Sequence, residues 1–322
     1  MNRRTFLNSA LGIAALAGIG GYVSFHFLKK RDISLWGHSF FGNNDVFSNR
    51  MIRDTGANVY NFGLSGSTSV SIALRNGAYR IRYSPIDGEL KKYVKTPLLP
   101  NVPGPLSAWA NSDISWFHLP CALDGIDGLL DWDGKEVTFT GRRDRVGVSE
   151  TDLLVYPMTT VATANVRAGV LFSEHPGSIY LLWLGRNNSS DPDQILKDAK
   201  AIVARMDKGN DRFVILPEFP SDNEVNGSKE AEQIVLINKI YQDEFPGHYC
   251  EIDGVDLLQN FKNHLNPDNP DDVQDVKNGL TPRSLREDGL HPSITKKPNA
   301  LYIGAEVNAE FVSKYLKMKE WV

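Results

Sequence analysis

The stretch Ile33-Ser34-Leu35-Trp36-Gly37-His38-Ser39-Phe40 is an apolar run that stops at Gly-His-Ser. Such a run reads as a buried strand ending in a tight turn, and the turn presents a serine. A serine there becomes an activated nucleophile only if a base and an oxyanion site come from elsewhere in the chain. Taken alone, the stretch fits an ordinary turn as well. What decides the matter is whether partners lie at the ends of other strands.

Working outward, 43–55 reads as a short helix and Asn58-Val59-Tyr60-Asn61-Phe62 as a second strand. That strand runs into Gly63-Leu64-Ser65-Gly66-Ser67-Thr68, a glycine-rich turn in which Ser67 or Thr68 can cap a helix over 70–75. After about residue 78 the pattern changes. Tyr79-Arg80-Ile81-Arg82-Tyr83 alternates with period two, 94–105 is rich in proline, and 131–140 looks like a turn feeding a strand. Residues 78–172 show little helical periodicity and read as a β-rich insertion.

Helix and strand then alternate again. The continuous apolar run at 178–184 is expected of a strand covered on both faces, and it ends in Gly185-Arg186-Asn187-Asn188. Ile195, Leu196, Ala199, Ile202, Val203 and Met206 share one helical face. A strand at 213–216, a helix over 228–245 and a last short strand at 249–252 follow. A polar loop at 266–278 leads to Asp288-Gly289-Leu290-His291-Pro292, and an amphipathic helix carrying Ile303, Val307, Phe311 and Tyr315 closes the chain. Strands alternating with helices argue for a parallel sheet with helices on both faces. Ligands bind such sheets at the C-terminal ends of the strands, where the polar-glycine turns fall.

Four separated pieces therefore converge: Ser39, Gly66, Asn187, and Asp288 with His291. Acyl transfer needs a nucleophile, a base, a carboxylate to orient the base, and donors for the oxyanion. Ser39, His291 and Asp288 supply the first three. The backbone N–H groups of Ser39 and Gly66 and the side-chain amide of Asn187 supply the donors, and a glycine at 66 lets the backbone approach the developing charge. With His291 as base, activity is expected to fall below roughly pH 6.5, as an imidazole protonates.

This set resembles the SGNH hydrolases, also called the GDSL-type lipase/esterase family. Gly37-His38-Ser39, Leu64-Ser65-Gly66-Ser67-Thr68, Gly185-Arg186-Asn187-Asn188 and Asp288-Gly289-Leu290-His291 are similar to the family's four blocks, in the same order. The resemblance covers 32–77 and 173–318. It implies a flavodoxin-like three-layer α/β/α fold with a parallel sheet, plus the β-rich insertion. It also implies a serine esterase that needs no cofactor and no metal. His38 stands where the family has aspartate, and Asn188 where it has a second aspartate. His38 is expected to be structural, because its side chain points away from that of adjacent Ser39.

The 322 residues, 41% hydrophobic and 23% charged, suit one large domain with an insertion. A net charge of −4 gives no sign of a nucleic-acid partner. The two cysteines, Cys121 and Cys250, form no metal or redox motif; one disulfide between insertion and core is an option, two free thiols the other. Trp109, Trp116 and Trp132 of the insertion suit either sugar stacking or a small core.

Met1-Asn2-Arg3-Arg4-Thr5-Phe6-Leu7, an uncharged stretch to Leu28, and Lys29-Lys30-Arg31 resemble a twin-arginine export signal. Residues 1–30 are accordingly read as that signal or a membrane anchor, with membrane association through 7–28, and 31–322 as the hydrolase domain interrupted by 78–172. The address is a bacterial envelope, periplasmic or extracellular. The expected substrate is a carboxylic ester, with O-acetyl groups on an acylated glycan foremost. A lipid or small ester, acyl transfer to a glycan, and a non-catalytic glycan-binding or assembly role are the alternatives. The oligomeric state is not legible.

Overall fold

The computed structural model describes residues 31–42, 44–79, 82–100, 117–132, 136–155, 159–161, 177–206 and 208–322. The expected export signal or anchor, Trp109, Trp116 and the Trp132 side chain lie outside the described parts. Asp32–Val322 forms one compact unit.

The chain enters through β1 (Asp32–Gly37), α1 (Asp45–Thr55), β2 (Asn58–Asn61) and α2 (Ser69–Asn76). Strands β3 (Arg82–Pro85), β4 (Glu89–Leu90), β5 (Lys95–Pro100), β6 (Phe117–Leu123), β7 (Ile126–Trp132), β8 (Val137–Gly141), β9 (Arg145–Val146), β10 (Thr151–Val155) and β11 (Thr159–Val161) follow. Then come β12 (Ile179–Trp183), α3 (Pro192–Ala204), β13 (Phe213–Ile215), α4 (Lys229–Glu244), β14 (Glu251–Ile252), β15 (Val255–Asp256), α5 (Leu257–Asn263), α6 (Pro270–Lys277) and α7 (Gly304–Met318).

Strand β1 sits between β2 and β12, pairing in parallel with both: Leu35 lies opposite Asn61 on one side and Leu181 on the other. Strand β13 extends the sheet beyond β12. Both faces of these strands are covered, which is why they read as unbroken apolar runs. Ile33, Leu35, Ile179, Leu181 and Trp183 pack with Phe47 and Met51 of α1, Phe261 of α5 and Val312 and Tyr315 of α7. The alternate residues Trp36, Tyr60, Tyr180 and Leu182 pack with Ile72 of α2, Ile195, Ala199 and Ile202 of α3 and Ile237 and Tyr241 of α4.

The helices start where the sequence supplies caps. Asn44 accepts from Phe47 N at α1, Thr68 from Ser71 N at α2, and Ser228 from Ala231 N at α4. Each side-chain oxygen satisfies a donor that the first turn leaves open.

The insertion is a second sheet with a core of its own. Strands β3, β5, β8, β7, β6 and β10 close into an antiparallel barrel, because β10 pairs with β3 at one end and with β6 at the other. Tyr83, Leu98, Leu119, Cys121, Leu130, Val137 and Phe139 fill it. Leu74 and Val70 of α2, and Leu64 of the preceding turn, pack against that filling. Strand β11 then runs back along β2, antiparallel to it.

This architecture corrects the expected flavodoxin-like three-layer fold with a parallel sheet. The larger sheet is antiparallel and barrel-shaped, with six strands, and the smaller five-stranded sheet is mixed, since β11 runs against its neighbours. Nor does 249–252 add a parallel ladder. Tyr249 makes a single bridge to Ile215, and β14 turns back to pair with β15. Asp253, at φ 52, and Gly254, at φ 80, make the reversal, a turn that local sequence favours over sheet extension. Cys121 and Cys250 are both buried free thiols, so the disulfide option falls as well. Burial pushes both thiols up from their ordinary range.

Candidate active site

Strand β1 is where the chain departs to β2 on one side and returns to β12 on the other, and ligands of such parallel strands bind at their C-terminal ends, beside such a reversal. Ser39 lies two residues beyond β1. Gly66 lies in the turn after β2, and Asn187 in a short 3₁₀ turn, Arg186–Asn188, after β12. The loop carrying Asp288 and His291 reaches the same place from the far end of the chain.

The His291 ring bridges two groups. Its Nε2 is 2.7 Å from Ser39 Oγ and its Nδ1 is 2.8 Å from Asp288 Oδ2. A carboxylate only accepts hydrogen bonds, so Nδ1 carries the proton and the Nε2 lone pair faces the serine hydroxyl. The other carboxylate oxygen, Asp288 Oδ1, accepts the backbone N–H groups of Leu290 and His291, both at 2.8 Å. One aspartate therefore shapes the turn and orients the ring. Burial alone would raise the Asp288 carboxyl. The hydrogen bonds from the backbone of His291 and Leu290 and from the imidazole outweigh it and hold the carboxyl below its usual range.

The loop itself is anchored from beneath. Glu287 N donates to His291 O at 2.6 Å, and Gly289 O accepts from Asp222 N at 2.8 Å and from Arg286 Nη1 at 2.7 Å. Arg286 is buried, and its Nη2 is 2.8 Å from Asp275 Oδ2. Asp275 also takes bonds from Arg283 N, Nε and Nη2. Sequence reading missed this pair, for it has no motif. Its only trace is a cation and an acid lying 11 residues apart, flanking a loop.

Burial would raise the Asp275 carboxyl, but the hydrogen bond from Arg283 and the charges of Arg286 and Arg283 prevail and lower it. The folded carboxyl is thus the stronger acid. The stability it adds is complete above the ordinary aspartate range and is lost as pH falls through the folded value. Asp275→Asn leaves Arg286 buried and unpaired, and is expected to cost about 3 kcal/mol at neutral pH. Urea unfolding at neutral and acid pH checks this, and the wild-type advantage should shrink on the acid side.

Gly66 has φ 73, a left-handed conformation that favours glycine. Its turn is stitched to the nucleophile turn: Leu64 N donates to Gly37 O at 3.1 Å, and Asn61 Nδ2 to Phe41 O at 2.7 Å. Asn187 Nδ2 donates to Ser67 O at 3.0 Å. Among the described residues, no acceptor engages the backbone N–H of Ser39 or of Gly66. Asn188, where the resembled family has aspartate, accepts from Ser69 N at 3.0 Å and donates to Ser69 Oγ at 2.9 Å. It thereby fixes the start of α2, and its amide supplies both a donor and an acceptor.

His38 turns inward beneath Ser39 and is fully buried. Phe40 N donates to its Nδ1 at 3.4 Å, which leaves the proton on Nε2, 3.1 Å from Glu218 Oε1. Glu218 is held through its backbone by Asn238, whose Oδ1 is 2.7 Å from Glu218 N. His38 thus ties the nucleophile turn to the segment after β13.

No protein-family model matches the chain. It is 38% identical over 301 residues to the tail spike protein of Salmonella phage epsilon15, a match that covers 90% of this chain and 27% of that protein. The chain therefore spans about a quarter of the length of this curated relative. A gut microbial diltiazem-metabolizing enzyme aligns with a TM-score of 0.44 at 11% identity, over 90% of this chain and 47% of that one. That likeness is too slight to bear on fold or function. No helix among the described residues is long and apolar enough to cross a membrane.

Proposed function

We propose that the chain is a serine esterase that hydrolyses carboxylic esters through an acyl-enzyme. The observation that carries the reading is the Ser39–His291–Asp288 relay, with links of 2.7 and 2.8 Å, the first of which joins residues 252 positions apart in sequence. A nucleophile, a base and an orienting carboxylate meeting in that order support the reading.

The reaction follows from the atoms. Ser39 Oγ attacks the ester carbonyl carbon as its proton passes to His291 Nε2, and the carbonyl oxygen takes up the negative charge. The backbone N–H groups of Ser39 and Gly66 and the Asn187 amide stabilise that charge. His291 then protonates the departing alcohol oxygen as the ester C–O bond breaks. Water, deprotonated by the same imidazole, attacks the acyl-enzyme, and the acid leaves with Ser39 regenerated. Asp288 keeps the imidazole in the required tautomer and stabilises it once protonated.

The likeness to a tail spike of a Salmonella phage favours an ester carried on a bacterial surface glycan, most simply an O-acetyl group. The barrel packs against α2 and Leu64, beside the turn that carries Gly66, where it can wall the substrate cleft. The same relative supports one other reading, a glycan-binding or assembly module in which the relay is idle.

Turnover separates the two. The full chain should release p-nitrophenol from p-nitrophenyl acetate and acetate from an O-acetylated polysaccharide. Binding to the polysaccharide with neither release would establish the idle module. Adding a glycan acceptor and finding its acetylated product would assign transfer in place of hydrolysis. Asn187→Ala is expected to lower kcat about 10²- to 10³-fold with KM nearly unchanged. Steady-state kinetics on the aryl acetate checks this, and a change in KM alone would remove Asn187 from the oxyanion site.

A further inference from the structure

Arg75 lies near the end of α2 and is 3% exposed. Its Nη1 donates to Ser67 Oγ at 2.8 Å and to Ser71 Oγ at 2.9 Å. Its Nη2 donates to Gly37 O at 3.2 Å and to Phe62 O at 3.4 Å. No carboxylate pairs with it among the described residues, and its Nε has no partner there. Burial pushes the guanidinium down to about 9, which leaves it charged at neutral pH. An unpaired buried cation is costly, and an apolar side chain would fill the site more cheaply. The placement of its four contacts suggests what offsets that cost.

Gly37 ends β1, two residues before Ser39, and Phe62 follows β2. Ser67 adjoins Gly66. The Ser67 hydroxyl passes the contact on to Leu64 O at 2.7 Å, and the Ser67 carbonyl receives Asn187 Nδ2. One guanidinium therefore holds the supports of all three oxyanion donors. We propose that Arg75 is a positioning residue for the oxyanion site, fixing the Gly66 turn and Asn187 against the nucleophile turn while bringing an unneutralised positive charge behind them. This rests on the esterase reading. Both effects favour the tetrahedral adduct over the bound ester, since the negative charge on the substrate oxygen exists only in the former.

The test uses the full chain and three variants, Arg75→Met, Arg75→Lys and Ser67→Ala. It measures kcat and KM on p-nitrophenyl acetate, inhibition by phenylboronic acid, which forms a tetrahedral adduct on a serine, and thermal melting. Arg75→Met should lower kcat about 100-fold with KM within about twofold, and weaken boronate inhibition in step. Arg75→Lys keeps the charge without the forked geometry and should recover part of the loss. Ser67→Ala, which removes one link and no charge, should lower kcat about tenfold. A purely structural role would lower melting and leave kcat and boronate affinity of the folded enzyme intact.

Wild-type kcat and boronate affinity in folded Arg75→Met would overturn the proposal. If that variant does not fold, the same result in Arg75→Lys and Ser67→Ala overturns it. Turnover that survives in Ser39→Ala would sink the esterase reading and this proposal with it. That outcome differs from Ser39-dependent turnover indifferent to Arg75.

Discussion

Alanine at Ser39 is expected to abolish p-nitrophenyl acetate turnover, a fall of about 10⁶-fold in kcat, while the protein stays folded. The size follows from the role: among the described residues, Ser39 Oγ at 2.7 Å is the hydroxyl that bonds to His291 Nε2. The fold survives because Ser39 is only partly buried and its hydroxyl bonds only to that imidazole among the described residues. Stability should change by less than about 0.5 kcal/mol. A variant that retains more than about a hundredth of the wild-type rate would show that Ser39 is not the nucleophile.

Alanine at His291 should cost nearly as much, and the Ser39→Ala/His291→Ala double variant should be no slower than either single one. The two groups act as a unit, so their effects do not add. Loop collapse is not the cause, because Gly289 O is held by Asp222 N and Arg286, and the Asp288 turn by backbone donors. Asp288→Asn should cost about 10⁴-fold in kcat, since an amide can stabilise the wrong imidazole tautomer. The pH profile follows from the same contacts. Asp288 is held below its usual range and stays charged as pH falls. Loss of activity on the acid side is therefore expected to follow the loss of a base able to accept the Ser39 proton, and not loss of the carboxylate. Rates that stay flat to pH 4 would remove His291 from the role of base.

Sequence made some of this legible and concealed the rest for physical reasons. The runs at 33–37 and 179–184 announce strands covered on both faces, because no polar face interrupts them. Ser39, Gly66 and Asn187 were legible because each follows a strand, and Asp288 and His291 because they form a polar turn just before the closing helix. The barrel was not. Alternation at 79–83 and a turn feeding a strand at 131–140 mark strands, but closure depends on β10 meeting both β3 and β6, a pairing between distant segments that no local pattern encodes. The short strand expected at 249–252 is present at Glu251–Ile252, but beyond the one parallel bridge from Tyr249 to Ile215 it does not join the sheet, because Asp253-Gly254 supplies a local reversal that pairs it with Val255–Asp256. Arg75 and Arg286 escaped notice because charged residues in a helix or loop read as solvated. Only the packing shows that both are buried. The clue available for Arg75 was its neighbourhood, Ser71-Ile72-Ala73-Leu74, a helix otherwise without charge.

The most direct test of the account is covalent. The full chain is incubated with a fluorophosphonate, which transfers its phosphonyl group to an activated serine oxygen with loss of fluoride. The intact mass and the modified peptide are then measured. The account predicts one adduct per chain, on Ser39, formed far more slowly in His291→Ala. A folded protein that takes no adduct, or takes it on another residue while Ser39 stays unmodified, would contradict it.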